Sequence, residues 1–364
     1  MQYESLLRWL FDEVVLPANS SCSPNQELLA LCRKIDSSYK LKHCTLDSLS
    51  CGIEYHHEFG NTIDYGIFID ANNPCVSTAF TAPSWWTFLI SRQQCADQFI
   101  PYCYSLEFDT AAGLKPSLAG IFQTVNPPER FSPSEQQSLI SKLLDHLGQL
   151  EFTRSMLNDS QCLALCLQQL GIPEQVGIMS GRGDVIKLVI STSGWSKQTV
   201  ANILASFQQS HGLPWPELSN QFLITYLSNP ESNSTARISI DIDLAHDRFL
   251  PRLGIELANT AMNPGEITPP LIDFCTDAAS ISPDSIRSCL ALSKRLPTGY
   301  QRAAKNERTL HGVSLQSHQR TAHLSHLKVV LAAGRKPLLK SYVDARQIRL
   351  HAPTPADSLS PSSP

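Results

Sequence analysis

Residues 235–257 carry the clearest pattern in the chain, because apolar and polar side chains alternate there one by one. Three isoleucines alternate with a polar set, which is Arg237, Ser239, Asp241 and Asp243. Successive side chains of a strand point to opposite faces of a sheet, so this pattern predicts a strand with one apolar and one charged face. The following "RLGIEL" predicts a second strand of the same kind, with Arg252, Gly254 and Glu256 on its polar face.

Helical and alternating patterns follow one another in a regular order along the chain. Helical spacing predicts helices over 4–16, 25–37, 84–98, 132–148, 158–171, 196–211, 216–227, 268–279 and 283–295. Alternation predicts strands in pairs: "GIEYHHEF" with "TIDYGIFID", "YCYSLEFD" with "PSLAGIFQTV", the hairpin "QVGIMSGRGDVIKLVIS", and the pair within 235–257. The last predicted strand is "HLSHLKVVLAAG" at 323–334, with "TLHGVSLQ" as its candidate partner.

The strand pairs define the expected fold class. Short connections make each pair antiparallel, and this excludes the parallel sheet of folds in which single strands and single helices alternate. We therefore predict an α+β fold, in which about ten antiparallel strands close into a barrel surrounded by helices and leave no exposed edge. Residues 1–350 should form this single domain, and the low-complexity tail at 351–364 should be disordered.

The two faces of the strands predict where a site would lie. Aliphatic faces must meet the surrounding helices, since only that packing removes their apolar area from water. The opposite faces then bring many ionisable residues to the barrel interior: Glu54, Glu107, Asp109, Lys187, Arg237, Asp241, Asp243, Glu256, His326 and Lys328. Because so many ionisable groups cannot be buried dry, we expect a cavity that holds water, mutual ion pairs or a ligand.

Composition narrows the classes of partner. The 364 residues are 42% hydrophobic and 17% charged, with a net charge of −4. The sequence contains no basic stripe, so we do not expect a nucleic-acid partner. The first residues predict an amphipathic helix rather than a signal peptide, and no stretch predicts a membrane span. The 11 cysteines show no spacing typical of a zinc site and are expected to be free thiols in a reducing cytoplasm.

The order of helix pairs and antiparallel strand pairs resembles that of the prenyltransferase-barrel (ABBA) enzymes, which move an isoprenoid from its diphosphate to an aromatic ring. Local segments resemble the indole branch: "GIEY", "LEFDTAAGLKPSLAGIFQTVNP" followed by "LLDHLG", and "VIKLVI". That branch repeats a Lys-x-Tyr motif along successive strands. Here Val189 follows Lys187 and Val330 follows Lys328 at the positions of the tyrosines.

This resemblance implies roles for individual residues. Glu54 would hold an indole N–H and take up the released proton, and Lys187 would contact the diphosphate. Because a diphosphate needs several cations, Arg237 and Lys328 are candidates for the same contact, and His326 is a candidate for substrate binding or for moving a proton. Glu107, Asp109, Asp241 and Glu256 would be further acids of the interior. The implied activity is prenyl transfer from an allylic diphosphate to an aromatic or peptide acceptor in natural-product biosynthesis, with no cofactor and no metal.

Other interpretations of the same residues stay open at this point. Glu54 could form a salt bridge to Lys187 or Arg237, the cations could pair with the interior acids, and His326 could be a structural partner. Asp109, Asp241 and Glu256 could bind a divalent ion, although no spacing fixes such a site. At the level of function, the alternatives are a barrel enzyme that has lost diphosphate binding and performs another tailoring or cyclisation reaction, and a non-catalytic ligand-binding protein.

Overall fold

The computed structural model describes fourteen parts of the chain. They are residues 2–15, 26–41, 48–57, 62–70, 103–109, 117–124, 173–179, 185–191, 198, 236–245, 248–259, 281–295, 317–332 and 335–350. The predicted tail at 351–364 lies outside them, as do the predicted helices at 84–98, 132–148, 158–171, 216–227 and 268–279 and nearly all of the one at 196–211.

Ten antiparallel strands form one sheet whose strand order returns to its starting point. They are β1 (Ser48–His56), β2 (Thr62–Asp70), β3 (Cys103–Asp109), β4 (Ser117–Thr124), β5 (Gln175–Met179), β6 (Val185–Ser191), β7 (Ala236–Ala245), β8 (Arg248–Asn259), β9 (Ser317–Ala332) and β10 (Leu338–Leu350). Each strand pairs with its neighbours in sequence, and β1 also pairs with β10, which gives a closed barrel. The antiparallel pairing is the one predicted from the sequence.

Helices lie on the aliphatic face of the sheet in the part of the chain that the structure describes. Helix α1 (Tyr3–Leu10) contacts β1 and β10 and runs into a π-helical turn (Phe11–Val15), whose Phe11 ring stacks on Tyr65 of β2 at 5.6 Å. Helix α2 (Gln26–Leu41) packs on α1, and its Asp36 carboxylate accepts a hydrogen bond of 2.7 Å from the backbone N–H of Tyr3.

Helix α3 (Pro283–Arg295) contacts β10, and His57, directly after β1, connects the two through buried hydrogen bonds. The Ser285 hydroxyl donates to the backbone carbonyl of His57 at 3.2 Å, and the His57 ring Nε2 lies 2.8 Å from the Ser341 hydroxyl. Burial lowers the pKa of His57 to about 3, so its imidazole is neutral. None of these three helices is long and apolar enough to cross a membrane.

The helix contacts identify the face of each strand that points into the barrel. On β2, Tyr65 lies under the π-helical turn, so Asp64 points the opposite way. By the same alternation, Ile53 of β1 faces outward and Glu54 faces inward. The charged faces of these strands therefore line the interior, which is the arrangement that the sequence pattern predicts.

The last strand pair differs from the prediction. The partner of β9 is β10 at 338–350, not "TLHGVSLQ", and β9 begins at Ser317 rather than at residue 323. The outward face of β10 carries Ser341 and Ala345 among its apolar residues, which weakens the alternation that the prediction relied on. Residues 309–316 lie outside the described part of the chain.

A β-bulge at Ser325 adjusts the register of this pair. Tyr342 pairs with His326 and Val343 pairs with Leu324, so Ser325 has no counterpart on β10. Leu324 and Leu327 are both buried although they are three positions apart, an odd spacing that would place them on opposite faces of a regular strand. The bulge thus keeps His326 and Lys328 on the interior face while it holds the aliphatic side chains on the outer one.

The described cysteines lie in apolar surroundings. Cys32, Cys51 and Cys289 are free thiols and are buried. Burial raises the pKa of the Cys32 thiol to about 12, which makes it a packing group rather than a nucleophile.

Candidate active site

Glu54 lies on the interior face of β1 at the centre of one cluster of ionisable side chains. Its Oε1 accepts a hydrogen bond from the Lys340 ammonium on β10, and the His56 ring Nε2 lies 2.9 Å from the same oxygen. The same ring nitrogen lies 2.9 Å from Oδ2 of Asp64, which pairs with Glu54 across β1 and β2. The bridge that the sequence leaves open for Glu54 is made by Lys340 of β10, a partner that the sequence did not predict.

The surroundings of Glu54 keep its carboxylate ionised. Burial by itself would raise the pKa of Glu54, but the charge of Lys340 and the hydrogen bond from His56 outweigh it and hold that pKa well below its ordinary range. Burial would likewise lower the pKa of His56, yet the hydrogen bonds to Asp64 and Glu54 raise it. The cluster therefore presents a buried hydrogen-bond acceptor whose charge is already compensated.

A second cluster gathers around Asp241 on the interior face of β7. The Lys328 ammonium of β9 donates to Oδ2 of Asp241 and, at 2.9 Å, to Oε1 of Glu256 on β8. The Lys187 ammonium of β6 lies 3.4 Å from the same Asp241 oxygen. The side chains of Asp241, Lys328 and Lys187 are 1%, 2% and 5% exposed, so two lysines converge on one carboxylate oxygen out of contact with bulk water.

Gly254 opens the space in which Lys328 reaches Asp241. These two residues lie on β9 and β7, with β8 between them, and Gly254 of β8 pairs with Asp241. A Cβ atom at residue 254 would lie 2.7 Å from Cε of Lys328 and 2.7 Å from Cβ of Asp241. No side chain fits there, so this glycine is part of the cluster although it carries no ionisable group.

Burial and mutual charge set the protonation of the second cluster. Burial alone would lower the pKa of Lys328, but Asp241 and Glu256 raise it above its ordinary value. Burial would raise the pKa of Asp241, yet Lys328 and Lys187 lower it. Glu256 differs, because burial and the nearby Asp241 raise its pKa to about 7 in spite of Lys328. Glu256 is therefore a group of this cluster that titrates near neutral pH.

Tyr342 on β10 connects the two clusters. Its ring stacks on His326 with centroids 3.9 Å apart, and the Lys328 ammonium lies 5.8 Å from the ring centroid. Burial and the neighbouring Glu54 carboxylate raise the pKa of the Tyr342 hydroxyl well above its ordinary value, so it stays protonated. Burial lowers the pKa of His326 to about 4, so its imidazole is neutral and adds no positive charge near Glu256.

The structure brings most of the predicted site residues together. Glu54, Lys187, Asp241, Glu256, His326 and Lys328 all belong to the two interior clusters. Glu107 lies on β3 near enough to raise the pKa of Tyr342, so it also faces this region. Arg237 and Asp109 lie within β7 and β3, but their side chains lie outside the described part of the chain.

Four residues that form or connect the two clusters had no role predicted from the sequence: Lys340, Tyr342, His56 and Asp64. Two of them could have been found from the sequence. Lys340-Ser341-Tyr342 has the Lys-x-Tyr spacing of the indole branch. The missed strand β10 hid this match. His56 and Asp64 carried no such signal, since their roles depend on which strands lie side by side.

One group of donors in the described part of the chain has the arrangement of a metal site. Glu54, His56 and Asp64 each offer a ligand atom, and these atoms lie within 4.8 Å of one another. Lys340 already donates to Glu54, and the His56 ring contacts both carboxylates, so these oxygens already have side-chain partners.

The chain was compared with known proteins and with solved structures. No protein-family model matches it, and no curated protein is similar to it in sequence. The crystal structure of 5-dimethylallyltryptophan synthase from Streptomyces coelicolor is similar, with a TM-score of 0.50 and 11% identity over 93% of this chain and 95% of that one. The ternary complex of prenyltransferase PriB with L-tryptophan and dimethylallyl thiolodiphosphate has a TM-score of 0.51 and 9% identity over 94% and 96%.

The chain has the prenyltransferase-barrel fold. The architectural resemblance drawn from the order of helix pairs and strand pairs is thus confirmed. At sequence identities of 9% and 11%, the similarity indicates a shared fold but not shared substrates. Within this prenyltransferase-barrel fold, function must be argued from the two interior clusters.

Proposed function

We propose that the protein is a prenyltransferase that moves an isoprenoid from an allylic diphosphate to an aromatic acceptor, either an indole-like small molecule or a peptide, in natural-product biosynthesis. The observation that carries the proposal is the ionised, buried Glu54 on the interior face of a prenyltransferase barrel. The Lys340-x-Tyr342 pair beside it supports the same activity. The two similar structures are a dimethylallyltryptophan synthase and a prenyltransferase, and the second contains L-tryptophan and dimethylallyl thiolodiphosphate.

The chemistry requires an anion-binding group and a proton acceptor. The allylic C–O bond breaks and its electron pair leaves with the diphosphate, while a ring carbon of the acceptor supplies the pair for the new C–C bond. That ring carbon then loses its proton. Glu54 accepts a hydrogen bond from the acceptor N–H and takes up the released proton. A protonated aromatic ring is a strong acid, so even a carboxylate with a lowered pKa accepts its proton.

Lysines and an aromatic ring would handle the donor. Lys187, Lys328 and Lys340 contact the diphosphate, with Arg237 as a further cation and the neutral His326 as a hydrogen-bond donor. The face of Tyr342 lies beside Lys328 and would stabilise the allylic cation. At rest these lysines bind Asp241, Glu256 and Glu54, so the diphosphate must replace protein carboxylates.

The test is turnover with defined substrates. The full chain is incubated with dimethylallyl or geranyl diphosphate and with indole acceptors, including tryptophan and a tryptophan-containing peptide, and products are detected by mass spectrometry. Glu54→Gln should lower kcat/KM by roughly 10²- to 10⁴-fold, the usual contribution of a general base. The matched control is Glu4→Gln on α1, which removes a carboxylate that pairs with Arg8 and Arg33 outside the barrel. Absence of turnover together with absence of donor binding would refute the proposal.

A second candidate is a barrel enzyme that has lost diphosphate binding and acts on a cationic or polar substrate. Two observations favour it: valines at residues 189 and 330 occupy the tyrosine positions, and both lysines of β6 and β9 are engaged by Asp241. Calorimetric titration with inorganic pyrophosphate separates the two candidates, since measurable affinity would exclude the second.

A further inference from the structure

The convergence of Lys187 and Lys328 on one oxygen forms an anion-binding position that is already filled. Lys328 donates to Oδ2 of Asp241, and the Lys187 ammonium lies 3.4 Å from the same atom. The other carboxylate oxygen, Oδ1, is buried and receives no hydrogen bond from Lys187 or Lys328, although the Asp241 side chain also contacts the carboxyl group of Glu256. An ordinary structural ion pair would use both oxygens, because an unsatisfied buried oxygen carries a desolvation cost.

The charges around Asp241 match a larger anion better than they match one carboxylate. Asp241 supplies a single negative charge to two lysines, and Lys328 obtains its second contact from Glu256, whose pKa lies near 7. A diphosphate carries more charge and more acceptor oxygens, and it would need the same two ammonium groups. A diphosphate that binds these two ammonium groups therefore competes with Asp241 for them.

Gly254 shows that the space for this contact is built into the barrel. Its missing side chain is what lets Lys328 cross β8 to reach Asp241. The contact between Lys328 and Asp241 thus depends on a glycine, a residue that itself carries no charge. This distinguishes it from an incidental pairing of two long side chains.

We propose that Asp241 is a built-in competitor of the donor: its carboxylate occupies the place of an anionic ligand between Lys187 and Lys328 and sets the affinity of the barrel for diphosphates. The inference rests on the proposed function, because it takes these lysines as the diphosphate contacts. Donor binding displaces Asp241 from the lysines. After transfer, the return of Asp241 to the lysines favours release of inorganic diphosphate.

The experiment is calorimetric titration of the full chain with inorganic pyrophosphate. Asp241→Asn should bind pyrophosphate about 10- to 100-fold more tightly than the wild-type chain, the range that one charge-assisted hydrogen bond contributes. Adding Lys328→Met to Asp241→Asn should abolish the gain. The matched control is Asp64→Asn, which removes an interior carboxylate that contacts His56 on the other cluster, and it should change the affinity far less.

The outcomes separate this inference from the proposed function. If Asp241→Asn binds no more tightly than the wild-type chain, the competitor role is overturned, whether both proteins bind pyrophosphate or neither does. If both bind equally, the diphosphate site of the proposed function keeps its support. If Asp241→Asn gains affinity for pyrophosphate but the chain neither binds nor turns over a prenyl donor, the competitor role stands for anions in general and the proposed function falls. Asp241→Ser, with a smaller neutral side chain, repeats the test should the Asn variant fail to fold.

Discussion

A methyl group at residue 254 should disrupt the interior more than any conservative change on the barrel surface. In Gly254→Ala the new Cβ would lie 2.7 Å from Cβ of Asp241, 2.7 Å from Cε of Lys328 and 2.9 Å from Oδ2 of Asp241. Real Cβ atoms do not approach other heavy atoms that closely, so something must move. Cε of Lys328 can swing away, but Cβ of Asp241 is fixed to the backbone of β7.

The size of the effect follows from the two ways of relieving the clash. If Lys328 swings away, a buried ion pair is broken, which costs about 3–5 kcal/mol. If β7 and β8 separate instead, the cost is that of overpacking, about 1–3 kcal/mol. Replacing glycine also restricts the unfolded chain and returns about 0.4–1 kcal/mol. Because moving Lys328 leaves the Asp241 contact unrelieved, we expect a net loss of about 2 kcal/mol or more in the free energy of unfolding.

Urea denaturation followed by circular dichroism measures this loss, with the m-value checked for constancy. Gly52→Ala is the matched control, since the atoms nearest to its Cβ would be side-chain atoms, Oδ1 of Asp344 at 3.0 Å and the edge of the Phe68 ring at 3.1 Å. Both of those groups can rotate, so that variant should lie within about 1 kcal/mol of the wild-type chain. Equal destabilisation by the two variants would refute the role assigned to Gly254.

Three further predictions concern charge and pH. Lys328→Met leaves two buried carboxylates without their shared cation and should lower the free energy of unfolding by about 3–5 kcal/mol. Arg8→Met, which breaks an exposed pair on α1, should cost less than about 1 kcal/mol in the same urea assay. Because burial raises the pKa of Glu256 from 4.5 to about 7, its stabilising contribution is complete below pH 4.5 and is lost as the pH rises through 7. Glu256→Gln should therefore flatten the dependence of Tm on pH in that interval, and an unchanged slope would count against the shift. Because burial lowers the pKa of His57 from 6.5 to about 3, its contribution is present above pH 6.5 and is lost as the pH falls through 3. His57→Gln should make Tm less sensitive to acid in that range.

The alternation of apolar and polar residues was sufficient to predict which side chains face the barrel interior. Alternation in "RISIDID" and "RLGIEL" placed Asp241 and Glu256 on one face and the aliphatic residues on the other, and the structure has the same two faces. This works because a strand has a strict period of two, so one buried aliphatic residue fixes the direction of all its neighbours. The same logic placed Glu54, Lys187 and Lys328 in the interior.

Partners across the barrel could not be predicted in the same way. Lys340 binds Glu54 across 286 residues of sequence, and the contact exists only because β10 closes the ring against β1. The outward face of β10 mixes Ser341 and Ala345 with its larger apolar residues, so its alternation does not stand out. Missing that strand removed both the partner of Glu54 and the Lys-x-Tyr pair from the predicted site.

The types of residue in the interior do not by themselves decide between an ion-pair network and a substrate site. Lys187, Lys328 and Lys340 each bind a carboxylate in the resting protein, which satisfies their charge without any ligand. A substrate anion must therefore interact with these lysines more favourably than Asp241 and Glu54 do, since its binding free energy is the difference between the two sets of contacts. A diphosphate can do so where one ammonium group meets several oxygens at once, and Asp241, with one oxygen shared by two lysines, is the contact that it would replace.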